Sequence, residues 1–121
     1  MSSPKSSKEE LKALVFREID ARADEIIQVA QTILKNPEPG FRETKTSRLV
    51  GDQFAALGIP FRTGLAMTGV RGELVGGSAG PTLAVLGELD SLSVSEHPHA
   101  DPATGAAHAC GHHCQVAMML G

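Results

Sequence analysis

Thr82-Leu83-Ala84-Val85-Leu86-Gly87-Glu88-Leu89-Asp90 is the stretch on which the fold reading turns. Residues 83–86 form a continuous apolar run, the pattern expected of a strand buried on both faces. Carboxylates follow at once, in Glu88 and Asp90. In open α/β sheets, ligands bind outside the carboxyl ends of the strands. Acidic residues here therefore carry more functional weight than they would on a helix surface. The runs at 59–63 and 69–75 predict two more strands, with Gly76-Gly77-Ser78-Ala79-Gly80-Pro81 as the turn into the central one.

Working back toward the start, Ser7-Lys8-Glu9-Glu10 has the form of a capping box. Leu11, Val15, Ile19, Ala23, Ile26, Ala30 and Ile33 then recur every three or four residues. This spacing predicts one helix running to about residue 35, with a charged opposite face. Asn36-Pro37-Glu38-Pro39-Gly40 stops it. A second helix is expected over about 43–57, striped by Leu49, Val50, Phe54 and Leu57 and closed by Gly58. Gly51 inside it costs about 1 kcal/mol against Ala, which close packing on a neighbour would explain. Helices flanking strands give an α/β fold, a layered sheet with flanking helices, over residues 8–121 behind a polar tail at 1–7.

The 121 residues allow one domain with a modest core. A net charge of −3 without a Lys/Arg block argues against nucleic acid or an anionic membrane as partner. Four Phe and no Trp or Tyr leave no stacking platform for bases. The polar, Ser- and Lys-rich start has no apolar run behind it, and no segment reaches the ~18 apolar residues of a membrane span. Two cysteines in such a chain suit a reducing cytoplasm.

Working forward, 91–107 reads as a long polar loop carrying His97 and His99, and loops of this length are often functional. It leads into His108-Ala109-Cys110-Gly111-His112-His113-Cys114-Gln115, three histidines and both cysteines in eight residues. Thiolate and imidazole are the ligands of zinc and its neighbours. An apolar helix is expected to start near His112 or His113, with an apolar face that needs a covering layer. Cys110 would then sit at its N-terminus, where the helix dipole favours thiolate. Gly111 lets the backbone bend so that Cys110 and His112 face a common point, and Asp90 is the nearest carboxylate to orient a histidine. Two other readings stand beside this one. The cysteines could be ordinary buried thiols, or Cys110, His112, Cys114 and His108 could close a structural zinc site. Spacings of every second residue suit that closed site poorly.

Gly105-Ala106-Ala107-His108-Ala109-Cys110-Gly111-His112 resembles the G-x-x-H-A-C-G-H signature of the N-acyl-amino-acid amidohydrolases. These form the hippurate, indole-acetyl-amino-acid and aminobenzoyl-glutamate hydrolase branch of the zinc aminoacylase–carboxypeptidase metallopeptidases. Asn36-Pro37-Glu38-Pro39-Gly40-Phe41 resembles the N-P-E-x-G-F after the family's first helix. Leu57-Gly58-Ile59 resembles the end of its second, and Leu86-Gly87-Glu88-Leu89-Asp90-Ser91-Leu92 resembles its R-A-D-M-D-A-L strand end. The likeness covers nearly all the chain after residue 10.

The resemblance implies the N-terminal part of a zinc-peptidase-like catalytic domain that hydrolyses N-acyl or aryl-acyl amino acids with a metal-activated water. Two divalent ions (zinc, manganese, cobalt or nickel) would be held in the complete enzyme, a homodimer or larger oligomer. Cys110 and His112 match metal ligands, and Asp90 matches the carboxylate that orients or tunes the site. Glu88 stands where the branch usually has Asp and the wider family a ligand His. The family word continues Asp-Gly-His where this chain has His113-Cys114-Gln115. The general-base Glu, further ligands and the lid domain lie downstream in the family, so this stretch alone is expected to be inactive. A small zinc module or a non-catalytic remnant is the alternative.

Overall fold

The computed structural model describes residues 6–121. It orders the chain as α1 (Lys8–Ala21), α2 (Ala23–Leu34), α3 (Thr44–Ala56), β1 (Phe61–Leu65), β2 (Gly69–Gly72), β3 (Leu92–Ser93), β4 (Ala106–Ala107) and α4 (His112–Leu120). The result is a mixed helix and strand domain, with two small antiparallel sheets, β1–β2 and β3–β4, among four helices. Most of the polar tail expected at 1–7 lies outside the described residues.

The capping box forms as its residues suggest. Ser7 Oγ accepts the Glu10 N–H at 3.2 Å, and the Ser7 N–H donates to the Glu10 carboxylate at 2.7 Å. The single helix expected to about residue 35 is instead two, broken at Arg22 with φ −108° and ψ 11°. The apolar spacing runs unbroken across Arg22, so periodicity alone could not mark the break. Packing does: α1 buries no residue, whereas α2 buries Val29 and Ile33 and lies against α4.

The core is built between α2, α3 and α4 from Val29, Ile33, Val50, Val116, Ala117 and Leu120. Ile33 and Val116 are fully enclosed, each contributing roughly 1.5–3 kcal/mol by the transfer of apolar surface from water. The apolar face of α4 is therefore covered, by α2. Gly58 closes α3 at φ +68°. A Cβ on Gly51 would lie 3.1 Å from Phe61 Cε2, so its helical cost accompanies close packing of β1 on α3.

The central strand is not observed. Residues 82–87 form no strand and pair with none among the described residues, and Leu83, Val85 and Leu86 are 89%, 72% and 82% exposed. A strand buried on both faces needs neighbours to take up its N–H and C=O groups, and β1 to β4 all pair elsewhere. A layered sheet with flanking helices is thus corrected to two separate hairpin-like ladders. The expected strands at 59–63 and 69–75 shift to β1 and β2, and the Gly76 to Pro81 turn joins no strand pair. The loop at 91–107 is tied at its ends by β3 and β4, with Leu92 opposite Ala107 and Ser93 opposite Ala106.

Candidate functional site

Ala106 and Ala107 are fully buried in β4 and deliver the chain to a tight turn at residues 108–111. Gly111 ends it at φ +89°, a left-handed conformation that costs an L-residue with a side chain about 1 kcal/mol or more. From there α4 starts at His112, in the place expected. Cys110 lies just outside the helix and Cys114 in its first turn, and both thiols are exposed, which corrects the buried-thiol reading.

His112 joins the expected residues. Its Nδ1 is 2.8 Å from the Asp90 main-chain oxygen and 3.2 Å from Asp90 Oδ1. A carbonyl oxygen only accepts, so this contact places the proton on Nδ1 and turns the Nε2 lone pair outward. Nε2 faces Glu88 Oε2 at 3.1 Å. A lone pair and a carboxylate repel unless a cation stands between them, so a proton or a metal ion belongs there. Two ligands bonded to one zinc ion at about 2.0–2.2 Å can keep such a separation. The main-chain contact on Nδ1 is also the usual way of fixing a metal-binding imidazole. The donor chemistry around His112 therefore fits a divalent metal.

The carboxylates are positioned from two sides. Ser91 donates its N–H and its hydroxyl to the Glu38 main-chain oxygen, at 2.9 and 2.8 Å, which pins the residue after Asp90. The Glu38 side chain is buried and takes the Lys45 and Thr46 N–H groups and the Thr44 and Thr46 hydroxyls at 2.9–3.2 Å. The segment read as a helix stop and as a family likeness is thus a clamp between α3 and the residues that follow Asp90. On the other side, Gln115 Oε1 accepts the Glu88 N–H at 2.6 Å, and its Nε2 reaches Glu88 Oε2 at 3.4 Å. The sequence marked Gln115 only as part of the departure from the family's Asp-Gly-His; its spacing of three from His112, which puts the two on one helix face, was the signal for a shared role.

His108 does not join Cys110 and His112. It is buried, its ring 5.5 Å from that of His113, and both of its nitrogens and His113 Nδ1 lack hydrogen-bond partners among the described residues. Burial, with His113 and His112 nearby, pushes His108 down to about 4, and burial also lowers His113. No three His, Cys, Asp or Glu side chains form a ready metal cage among the described residues, so the closed zinc site of Cys110, His112, Cys114 and His108 is not assembled. His97 and His99 face each other at 5.8 Å, on the loop. No helix among the described residues is long and apolar enough to cross a membrane.

In sequence, the chain is similar to part of several hydrolases. The chain is 39% identical over 97 residues to IAA-amino acid hydrolase ILR1-like 6 of Arabidopsis thaliana, covering 78% of this chain and 21% of that protein. It is 38% identical over 102 residues to thermostable carboxypeptidase 2 of Saccharolobus solfataricus, covering 81% and 26%. With N-acetyl-L-cysteine deacetylase of Bacillus subtilis it shares 30% over 100 residues, covering 80% and 24%. No family model and no solved structure matches the chain. The chain belongs to the amidohydrolase family of these relatives. It spans between about a fifth and just over a quarter of the length of the curated relatives it matches.

Proposed function

We propose that the protein is a metal-dependent amidohydrolase that cleaves the amide bond of N-acyl or aryl-acyl amino acids in the cytoplasm. The relatives' names, which speak of amino-acid conjugates, an acetylated cysteine and a carboxypeptidase, support that substrate class. Cys110 and His112 would be the metal ligands from this stretch, and Asp90 would orient His112. The observation that carries the reading is the His112 ring, held at Nδ1 by Asp90 O at 2.8 Å with Nε2 turned toward Glu88. When bound, a divalent ion supplies Lewis acidity toward the amide carbonyl and toward water. The chain's own part is to hold the imidazole in one tautomer and one orientation. The exposed Cys110 thiol, across Gly111 from His112, offers a second soft donor.

Two measurements test this reading. Zinc affinity of the 121-residue chain, read by competition with a chromogenic chelator, should fall at least about 10-fold in Cys110→Ser and in His112→Asn. Hydrolysis of hippurate or acetyl-amino acids by protein that shows activity should stop with a chelator and return with zinc, manganese or cobalt. Equal zinc affinity in all three chains, or hydrolysis indifferent to chelation, would overturn it.

A further inference from the structure

Glu88 is a weakly held residue. It follows the exposed residues 82–86, which no described strand pairs, and its carboxylate is mostly solvent-exposed. Yet that carboxylate lies 3.1 Å from His112 Nε2, the nitrogen read above as metal-facing. Something must keep it there against the freedom of a glutamate side chain, which carries up to about 1.5–2 kcal/mol of rotamer entropy. Besides His112, one side chain touches Glu88 by hydrogen bonds among the described residues, and it is Gln115.

We propose that Gln115 is a positioning residue that grips Glu88 at two points and so holds its carboxylate on the Nε2 side of His112. The inference rests on the reading of His112 as a metal ligand. A carboxamide suits this task because it carries an acceptor and a donor side by side. Oε1 takes the Glu88 main-chain N–H at 2.6 Å, and Nε2 points to the Glu88 carboxylate at 3.4 Å. One grip fixes where the residue starts and the other biases where its side chain ends. Histidine has no carbonyl oxygen and cannot place an acceptor and a donor at these two points with the same geometry. Alanine offers neither.

The local fold makes the grip possible. His112 and Gln115 stand one turn apart on α4, so both reach the same segment, 88–90. Gly87 lets that segment lie directly on the helix, since a Cβ there would meet Val116 Cα and Cγ2 at 3.3 Å and Met119 Sδ at 3.6 Å. Val116, next to Gln115, is fully buried, which anchors the helix under the contact.

The test uses the full 121-residue chain and zinc alone as probe. In the metal-free chain, the Glu88 amide should exchange with solvent faster in Gln115→Ala than in wild type. Zinc affinity should fall about 10-fold in Gln115→Ala while Tm is unchanged. The double variant Gln115→Ala with Glu88→Gln should bind zinc no more weakly than Glu88→Gln alone, because the two changes remove one arrangement. Unchanged Glu88 exchange, zinc affinity indifferent to Gln115, or losses that simply multiply would each overturn the inference. If His112→Asn binds zinc like wild type, the ligand reading itself has failed and the positioning role falls with it; that result is distinguishable because it is read on His112, not on Gln115.

Discussion

At the scale of the residue, His108 shows what burial does to a titratable group. A histidine in the unfolded chain keeps its ordinary value near 6.5, while in the fold burial pushes His108 down to about 4. His113 and His112 add to the lowering, and Asp90 and Glu38 oppose it. Between those two pH values the unfolded chain takes up a proton that the folded chain refuses. Stability is therefore full above about pH 6.5 and is lost as pH falls toward 4, by about 3 kcal/mol for this group. His113 is lowered by burial too and acts in the same direction. Thermal melts from pH 7 to 4.5 should show a falling Tm in wild type and a flatter course in His108→Leu. An equal slope in both proteins would assign the acid sensitivity to other groups.

At the scale of the element, α3 depends on a residue outside it. Its own N-cap, Glu43, makes no side-chain capping bond, and its first N–H groups go instead to the buried Glu38 carboxylate. That carboxylate also sits at the positive end of the helix dipole. Glu38→Ala strands two main-chain N–H groups and two hydroxyls, and should cost about 2–4 kcal/mol in urea unfolding. Glu38→Gln, which keeps an acceptor oxygen of the same reach, should cost less. A loss below about 1 kcal/mol for the alanine variant would show that water replaces the carboxylate. This clamp was hidden in the sequence because its partners lie eight residues away at Thr46 and 53 away at Ser91, and spacing rules see only helical neighbours. The same holds for Gln115 and Glu88, 27 residues apart. What could be read was what depends on local order: the capping box at Ser7, the helix of α3 and the start of α4. The break at Arg22 and the unpaired state of 82–87 could not be read, because an apolar pattern states a preference for burial and not which partner provides it.

At the scale of the whole molecule, that preference is left unmet along one side of the chain. The apolar face of α4 is covered through Val116, Ala117 and Leu120, so the surface that invites association lies elsewhere. Leu83, Val85 and Leu86 are exposed on a backbone whose N–H and C=O groups have no strand partner among the described residues, and Leu74 and Val75 are exposed as well. Apolar side chains beside unpaired backbone groups make an edge on which another chain can pair. A second apolar surface, Leu11, Val15 and Phe16 on α1, is exposed as well, but its backbone is already satisfied within the helix. The edge offers hydrogen bonds in addition to apolar contact, and so should dominate. The 121-residue chain should therefore self-associate as its concentration rises in sedimentation velocity. Leu83→Lys with Val85→Lys should suppress this far more than Phe16→Lys, since charges on an edge oppose strand pairing directly. A chain that stays monomeric at high concentration would show that the segment is protected in solution. Association relieved only by Phe16→Lys would move the sticky surface to α1.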